Sequence, residues 1–481
     1  MKDNRSFRNS VATGFIWTFA ERISAQLVSA LVSIILARIL VPDDYAPVTI
    51  ITVFITLCNV VVVNGLGNSL VQKHDADDKD FSSILYLGLF INLILYIALY
   101  FAAPLIASFY DMSLLTPIIR VMGIRLILSA VNSVQRAYVS NTMQFRKFFW
   151  STLFGTIVSG FVGILLALNN WGVWALVGQY LTNTTIDTIV LFITIDWRPK
   201  LYFSWKRAKT LSSYGWKISA AALMDEVYNS VRTLTIGKVY TPAELSFYNR
   251  AEYYPNLLSK NIISAINSVL FPAFSKLQDD VNELKQILKR TIKVSSYLVT
   301  PMLIGFAMVA EPLIKLVLTE KWLPCVPYMQ IIAISLCISP LSAVQAQVIK
   351  ALGRSDIILR QEIIKKILGI FMIIVTVQFG LITVVMGVAI FELWCYIINA
   401  IPNKKLIGYG FREQFKDVWK NYLCALIMAL TIYPISFWIH NECLMLLLQV
   451  LVGIISYIIA SIVTKNDSFY YLLRVIRERN A

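Results

Sequence analysis

An all-α polytopic membrane protein is the fold class this sequence predicts, and three observations predict it. The 481 residues are 57% hydrophobic, with mean hydropathy +0.67 and only 15% charged residues. An ordinary soluble domain carries about 25% charged residues, so a soluble core is excluded. The apolar residues gather in runs of about 20 or more, long enough to cross a hydrocarbon layer of about 30 Å as helices. Strands of a membrane barrel would instead show short alternating stretches.

Taken in chain order, the runs give 14 candidate spans at roughly 12–36, 46–71, 82–107, 114–136, 149–168, 172–195, 213–237, 246–271, 293–318, 326–349, 362–379, 381–401, 421–440 and 443–463. The first begins behind Lys2, Arg5 and Arg8 like a signal peptide, but Glu21 and Arg22 inside it mark a retained helix. The longest cytoplasmic connections are 196–212 and 274–290. In the second, Leu277, Val281, Leu284, Ile287 and Leu288 recur at helical spacing. That pattern fits a helix lying on the inner membrane surface or a packed intracellular linker helix.

The net charge of +15 does not point to nucleic acid, because the basic residues punctuate the hydrophobic runs instead of sharing one face with base-stacking aromatics. Lys and Arg accumulate in cytoplasmic loops. With the N-terminus inside, the cytoplasmic segments hold 32 of the 43 basic residues and the outer loops only Arg38, Lys238 and Lys321. Both termini are therefore expected in the cytoplasm. The cysteines (Cys58, Cys325, Cys337, Cys395, Cys424 and Cys443) lack ligand spacing and read as apolar thiols. With only His74 and His440 as histidines, no metal site is expected.

Self-comparison shows matches at an offset near 200 residues. Arg38, Pro42 and Asp44 match Lys238, Pro242 and Glu244; Asn68-Ser69 matches Asn267-Ser268; Pro104-Leu105-Ile106 matches Pro312-Leu313-Ile314; Val134-Gln135 matches Val344-Gln345. The six spans of each copy are an even number, so the copies share orientation, as in parallel-repeat transporters. The expected organisation is an N-terminal lobe of six spans (1–195), a cytoplasmic linker (196–212), a C-terminal lobe of six spans (213–402), and a final helix pair with a cytoplasmic tail (403–481).

Several stretches, in order, resemble the polysaccharide flippases of the multidrug/oligosaccharidyl-lipid/polysaccharide (MOP) superfamily, of O-antigen, colanic-acid or teichuronic-acid exporter type. They are 36–45 (LARILVPDDY), Gly65-Leu66-Gly67, Phe145-Arg146-Lys147, 171–176 (WGVWAL), Trp197-Arg198-Pro199, Tyr248-Asn249-Arg250-Ala251, 271–278 (FPAFSKLQ) and 351–356 (ALGRSD). Ala46-Pro47 departs from the glycine and apolar residue expected there. The resemblance implies a multi-pass protein of the bacterial inner membrane with two MATE-like bundles that alternate access. It implies transport of an undecaprenyl-diphosphate-linked oligosaccharide to the outer leaflet, with membrane lipids and other polysaccharide assembly proteins as partners.

Charges inside spans cost at least about 2.5–3.5 kcal/mol each and so mark a wet cavity or a partner. Arg22, Gln26, Ser29 and Ser33 share a stripe on the first span, with Glu21 beside Arg22; Asp225, Asn229 and Arg232 share one on the seventh. A diphosphate requires cations, and Arg22, Arg120, Arg125 and Arg250 are the expected anion contacts. Gln26, Ser29, Asn229, Arg232 and Lys260 are further cavity candidates. The competing reading pairs these charges with carboxylates to hold helices together. Asp187, Asp225 and Glu226 are the candidates for coupling to a proton or sodium gradient; no cofactor is expected. Trp171, Trp174, Trp197, Trp205 and Trp322 near span ends suit an interfacial belt or sugar stacking.

The short outer loops argue against the alternative of a membrane-embedded polymerase or glycosyltransferase, and no P-loop is present, so the chain is expected not to be an enzyme. The other alternative, a cation-coupled multidrug exporter of the same superfamily, would favour acidic cavity residues over this excess of arginine.

Overall fold

The computed structural model describes residues 2–73, 75–276 and 280–479. Among these the chain is helical throughout, without strands. Fourteen long helical segments occupy the 14 expected spans. They are α1 (Lys2–Ile39), α2 (Pro42–Gln72), α3 (Asp78–Phe109), α4 (Leu115–Asn141), α5 (Arg146–Leu168), α6 (Val173–Thr194), α7 (Trp205–Val239), α8 (Pro242–Lys276), α9 (Val281–Val317), α10 (Glu320–Ala351), α11 (Ser355–Thr376), α12 (Leu381–Ile407), α13 (Phe411–Ile432) and α14 (Glu442–Val463). A shorter α15 (Asp467–Arg479) follows.

Among the described residues, nine of these segments are long and apolar enough to cross a membrane: α2 to α5, α9, α10, and α12 to α14. The other five are more polar. For α7 and α8 the cause is a set of charges along the helix: Asp225, Glu226 and Arg232 on α7, Arg250, Glu252 and Lys260 on α8.

Packing divides the chain into two units, Met1–Ser246 and Phe247–Ala481. The boundary falls in the first turns of α8, so α7 packs with the N-terminal unit. There, Val62, Leu66 and Leu70 of α2, Ile84 and Leu85 of α3, Ala130 and Val134 of α4, and Leu191 of α6 form one buried core. The α2 backbone opens into a π-helical turn at Val61–Gly67, and this turn meets α7 where neither chain carries a side chain. A Cβ on Gly215 would come within 2.7 Å of the Gly65 carbonyl carbon.

The connection from α6 to α7 is tied to the start of α3. The Lys200 and Ser204 amides donate to the Ser82 and Ser83 hydroxyls at 3.0 and 3.1 Å. Arg207 donates to Asp77 at 2.7 Å and to Asp80 at 3.0 Å. Asp80 is fully buried and also pairs with Lys73. Burial works to raise the Asp77 pKa, but the Asp80 amide and the Arg207 guanidinium override it and hold the carboxyl at about 2.

In the C-terminal unit, residues 281–292 begin the continuous helix α9. Leu284, Leu288 and Ile292 are fully buried against Leu270, Phe274, Val344, Val348 and Val418. The segment is thus a packed helix and not one lying on a membrane surface; Leu277 lies outside the described residues. α13 and α14 close on α9 through a cluster of Tyr297, Cys424, Ala425, Met428 and Tyr457. The Tyr457 hydroxyl donates to the Tyr297 carbonyl at 2.9 Å.

The repeat-related positions play matching local roles. Asp44 accepts from the Val41 amide, and Glu244 from the Thr241 amide, so both helix starts are closed by a carboxylate three residues on. Pro104 and Pro312 both lie inside helices, and Gln135 and Gln345 are both fully buried. Pro47, the departure from the family pattern, sits in the first α-helical turn after Pro42–Asp44, where a proline removes little hydrogen bonding.

Four of the six cysteines are buried, Cys58 is half-buried and Cys443 is exposed, which corrects the apolar-thiol expectation for Cys443. It heads α14, where the chain re-enters a helix from a polar turn. Among the tryptophans, Trp197 and Trp322 are core residues, neither belt nor sugar platform. Trp171 and Trp205 are exposed.

Candidate functional site

Span four is not one straight helix. Leu115–Met122 and Ile124–Asn141 meet at Gly123, and α3 braces the break with three residues at one-turn spacing. Asn92 donates to the Leu126 carbonyl at 2.6 Å and the Tyr96 hydroxyl to the Arg120 carbonyl at 3.1 Å. The Tyr100 ring lies under the Arg120 guanidinium, 4.5 Å from its central carbon. Gly123 permits this because a Cβ there would stand 2.7 Å from the Tyr96 ring. Backbone polarity freed at the break is thereby satisfied by side chains, and Arg120 is aimed at α3.

Arg125 leaves the break in another direction, toward α6. Its guanidinium lies 5.0 Å over the Tyr180 ring, and its Nε donates to the Thr184 hydroxyl at 3.2 Å. Neither Arg120 nor Arg125 forms an ion pair with a carboxylate among the described residues. Each keeps a buried nitrogen without a hydrogen-bond acceptor there: Nε of Arg120, Nη1 of Arg125. Cation–π seating stabilises a desolvated guanidinium by about 2 kcal/mol or more. Both side chains keep a donor unused among the described residues. The helix-tying reading, taken as pairing with carboxylates, is not met at these two positions among the described residues, where Tyr100, Tyr180 and Thr184 contact the guanidinium groups instead.

It holds for Asp187. Its Oδ2 accepts from Arg136 at 3.0 Å and from Asn132 at 2.8 Å. Arg136 in turn donates through Nε to the Asn132 side-chain oxygen at 2.9 Å and reaches the Thr152 hydroxyl at 3.4 Å. Thr152 donates to Glu21 of α1 at 2.9 Å. One polar seam thus joins α1, α5, α4 and α6. Arg136 ends the fourth expected span (114–136) and was not among the expected site residues; the signal available was its distance of eleven residues from Arg125, about three helical turns, which puts both on one face.

The remaining candidates are spread over both units. On α1, Gln26 is half-buried and Ser29 exposed, while the Arg22 side chain lies outside the described residues. On α7, Asp225 and Asn229 are exposed, and Glu226 and Arg232 half-buried. Asp225 and Arg232 both engage other groups. In the C-terminal unit the Arg250 guanidinium lies 4.9 Å over the fully buried Trp322 ring, and Lys260 is exposed.

Known proteins share this framework. The chain is 22% identical over 447 residues to the lipopolysaccharide biosynthesis protein WzxC of Escherichia coli K12, covering 91% of this chain and 90% of that protein. It is 22% identical over 459 residues to the succinoglycan biosynthesis transport protein ExoT of Rhizobium meliloti 1021, covering 92% and 91%. With the teichuronic acid biosynthesis protein TuaB of Bacillus subtilis 168 it shares 21% identity over 436 residues, covering 90% of each. Among solved structures, the lipid II flippase MurJ in its inward closed conformation matches with TM-score 0.76 at 17% identity, over 94% of this chain and 99% of that one. An inward-facing multidrug resistance MATE family transporter of the MOP superfamily matches with TM-score 0.61 at 14% identity, over 79% and 95%. The fold is that of these transporters. Residues 35–327 match the polysaccharide biosynthesis protein family, and with more than half of its length inside that match the chain belongs to it.

Proposed function

We propose that this protein flips an undecaprenyl-diphosphate-linked oligosaccharide from the cytoplasmic to the outer leaflet of a bacterial inner membrane, by alternating access, for surface polysaccharide synthesis. The observation that carries the reading is the pair Arg120 and Arg125, each seated on a tyrosine ring and each without a carboxylate among the described residues. A diphosphate is the part of such a substrate that lipid solvates worst, and a guanidinium supplies both charge and paired donors to it. Relatives named for lipopolysaccharide, succinoglycan and teichuronic acid biosynthesis support a polysaccharide cargo. A neighbour named as a lipid II flippase supports a lipid-linked one.

In this reading the protein is a transporter and not an enzyme, its termini are cytoplasmic, and Arg22 and Arg250 join Arg120 and Arg125 in holding the head group. Coupling to a proton or sodium gradient belongs to the proposal, with Asp225 and Glu226 as the carboxylates to test, since Asp187 is already engaged by Arg136 and Asn132. The test is reconstitution in proteoliposomes with labelled substrate, with and without an imposed gradient. Exposure of the substrate on the opposite leaflet supports the reading; export of cationic dyes without movement of lipid-linked sugar would replace it with a drug exporter.

A further inference from the structure

Arg136 and Asp187 form an ion pair whose partners are unequally satisfied. Asp187 is nine-tenths buried, and its Oδ1 accepts no hydrogen bond among the described residues, while Oδ2 receives both Arg136 and Asn132. The Arg136 side chain stays 40% exposed, its guanidinium over the Phe148 ring at 5.3 Å. A structural ion pair repays its desolvation only when the remaining lone pairs are satisfied, and this one leaves an oxygen bare.

The other half of the chain shows that the fold does not need these charges. At the offset that relates Gln135 to Gln345, Arg125, Asn132 and Arg136 become Ser335, Ser342 and Ala346. That second seam is closed by neutral groups, with Asn399 donating to the Ser342 carbonyl at 3.4 Å and Asn403 to the Gln345 carbonyl at 3.5 Å. Charge on the α4–α6 seam is thus an addition to a contact that works without it.

Arg125 and Arg136 lie on one face of α4, about 16 Å apart along its axis. From these observations we infer that Arg136 is a second diphosphate-binding position and that Asp187 is its exchangeable counter-anion: the substrate displaces the carboxylate from Arg136, and the carboxylate takes the guanidinium back when the diphosphate moves along α4 to Arg125. A diphosphate carries at least two negative charges and presents oxygens to both arms of the fork, so it outcompetes a carboxylate held by one oxygen. Return of Asp187 keeps Arg136 from holding the cargo too tightly to release. The inference rests on the flippase reading above and deepens it.

The experiment uses the full-length protein in lipid nanodiscs with undecaprenyl diphosphate as the probe, read by equilibrium binding and by thermal stability without probe. Asp187→Asn is expected to bind the probe about tenfold more tightly than the unaltered protein, the size of one charge-assisted hydrogen bond. Arg136→Ala is expected to bind it about tenfold more weakly. The exchange Arg136→Asp with Asp187→Arg is expected to recover thermal stability but not binding. Asn132→Ala keeps both charges, removes one hydrogen bond from the carboxylate and frees the Nε of Arg136 for the diphosphate; it should tighten binding about threefold, and stands in if Asp187→Asn does not fold. Unchanged or weaker binding in Asp187→Asn and Asn132→Ala, with Arg125→Ala impaired as expected, would make the pair a structural tie and overturn this inference alone. Failure of the unaltered protein to bind undecaprenyl diphosphate would overturn the flippase reading and this inference with it.

Discussion

Arg125 sits 5.0 Å over the ring of Tyr180, one turn of α6 before the Thr184 hydroxyl that accepts its Nε hydrogen bond. The two α6 residues hold the guanidinium from one side and leave its remaining donors for another acceptor. Tyr180→Leu removes the aromatic face and keeps the bulk. Loss of cation–π support of about 1 kcal/mol corresponds to roughly fivefold weaker binding of undecaprenyl diphosphate. Tyr180→Phe retains the ring and should bind normally. Equal loss in both variants would assign the effect to the hydroxyl.

The break in α4 depends on a residue without a side chain. Gly123→Ala places a Cβ 2.7 Å from the Tyr96 ring, which must shift and strain its hydrogen bond to the Arg120 carbonyl. We expect a loss of about 1–3 kcal/mol, read as a lowered Tm of the purified protein. Tyr96→Phe, which keeps the ring and drops the hydroxyl, should cost about 1 kcal/mol. A Tm unaffected by Gly123→Ala would show that the close approach is not required.

Arg207 fastens the start of α7 to Asp77 and to the buried Asp80. Arg207→Ala leaves Asp80 with Lys73 as its ion-pair partner among the described residues and should lower the Tm. Hydrogen exchange of residues 196–209 should accelerate accordingly. The Asp77 carboxyl, held at about 2 against its ordinary 3.8, gives the fastening a pH dependence. Its contribution is complete above pH 3.8 and is lost as the pH falls through 2, because protonation of the folded form then removes one of the two carboxylate partners of Arg207. Exchange in this segment that is insensitive to acid over that range would contradict the assignment.

Cys443 is exposed, while Cys325, Cys337, Cys395 and Cys424 are buried. With the termini cytoplasmic as proposed, the α13–α14 connection lies outside, and a membrane-impermeant maleimide applied to intact cells should label this chain at Cys443. Labelling that requires permeabilised cells would reverse the orientation.

Helix positions were legible in the sequence because apolar runs and loop charges are local signals, and all 14 expected segments are helices in the structure. The packed start of α9 was only half legible. The spacing of Leu284, Leu288 and Ile292 announces an apolar face, but whether protein or lipid covers it is decided by Phe274, Val344 and Val418, which are distant in sequence. The candidate site shows the same limit. Arg120 and Arg125 were visible as charges in an apolar run. That they lack carboxylates among the described residues while Arg136 has one depends on the facing residues of α3 and α6, which are distant in sequence. Trp197 and Trp322 were misleading for a related reason: position near a span end does not reveal which side of the helix meets the core.

The most direct test of the central claim is the movement of a labelled undecaprenyl-diphosphate oligosaccharide across proteoliposome membranes by the unaltered protein and by Arg125→Ala. The account predicts transfer by the unaltered protein and at least a roughly tenfold slower transfer by the folded variant, because the variant loses the charge-assisted contact to the diphosphate. Transfer by Arg125→Ala at the unaltered rate would contradict it.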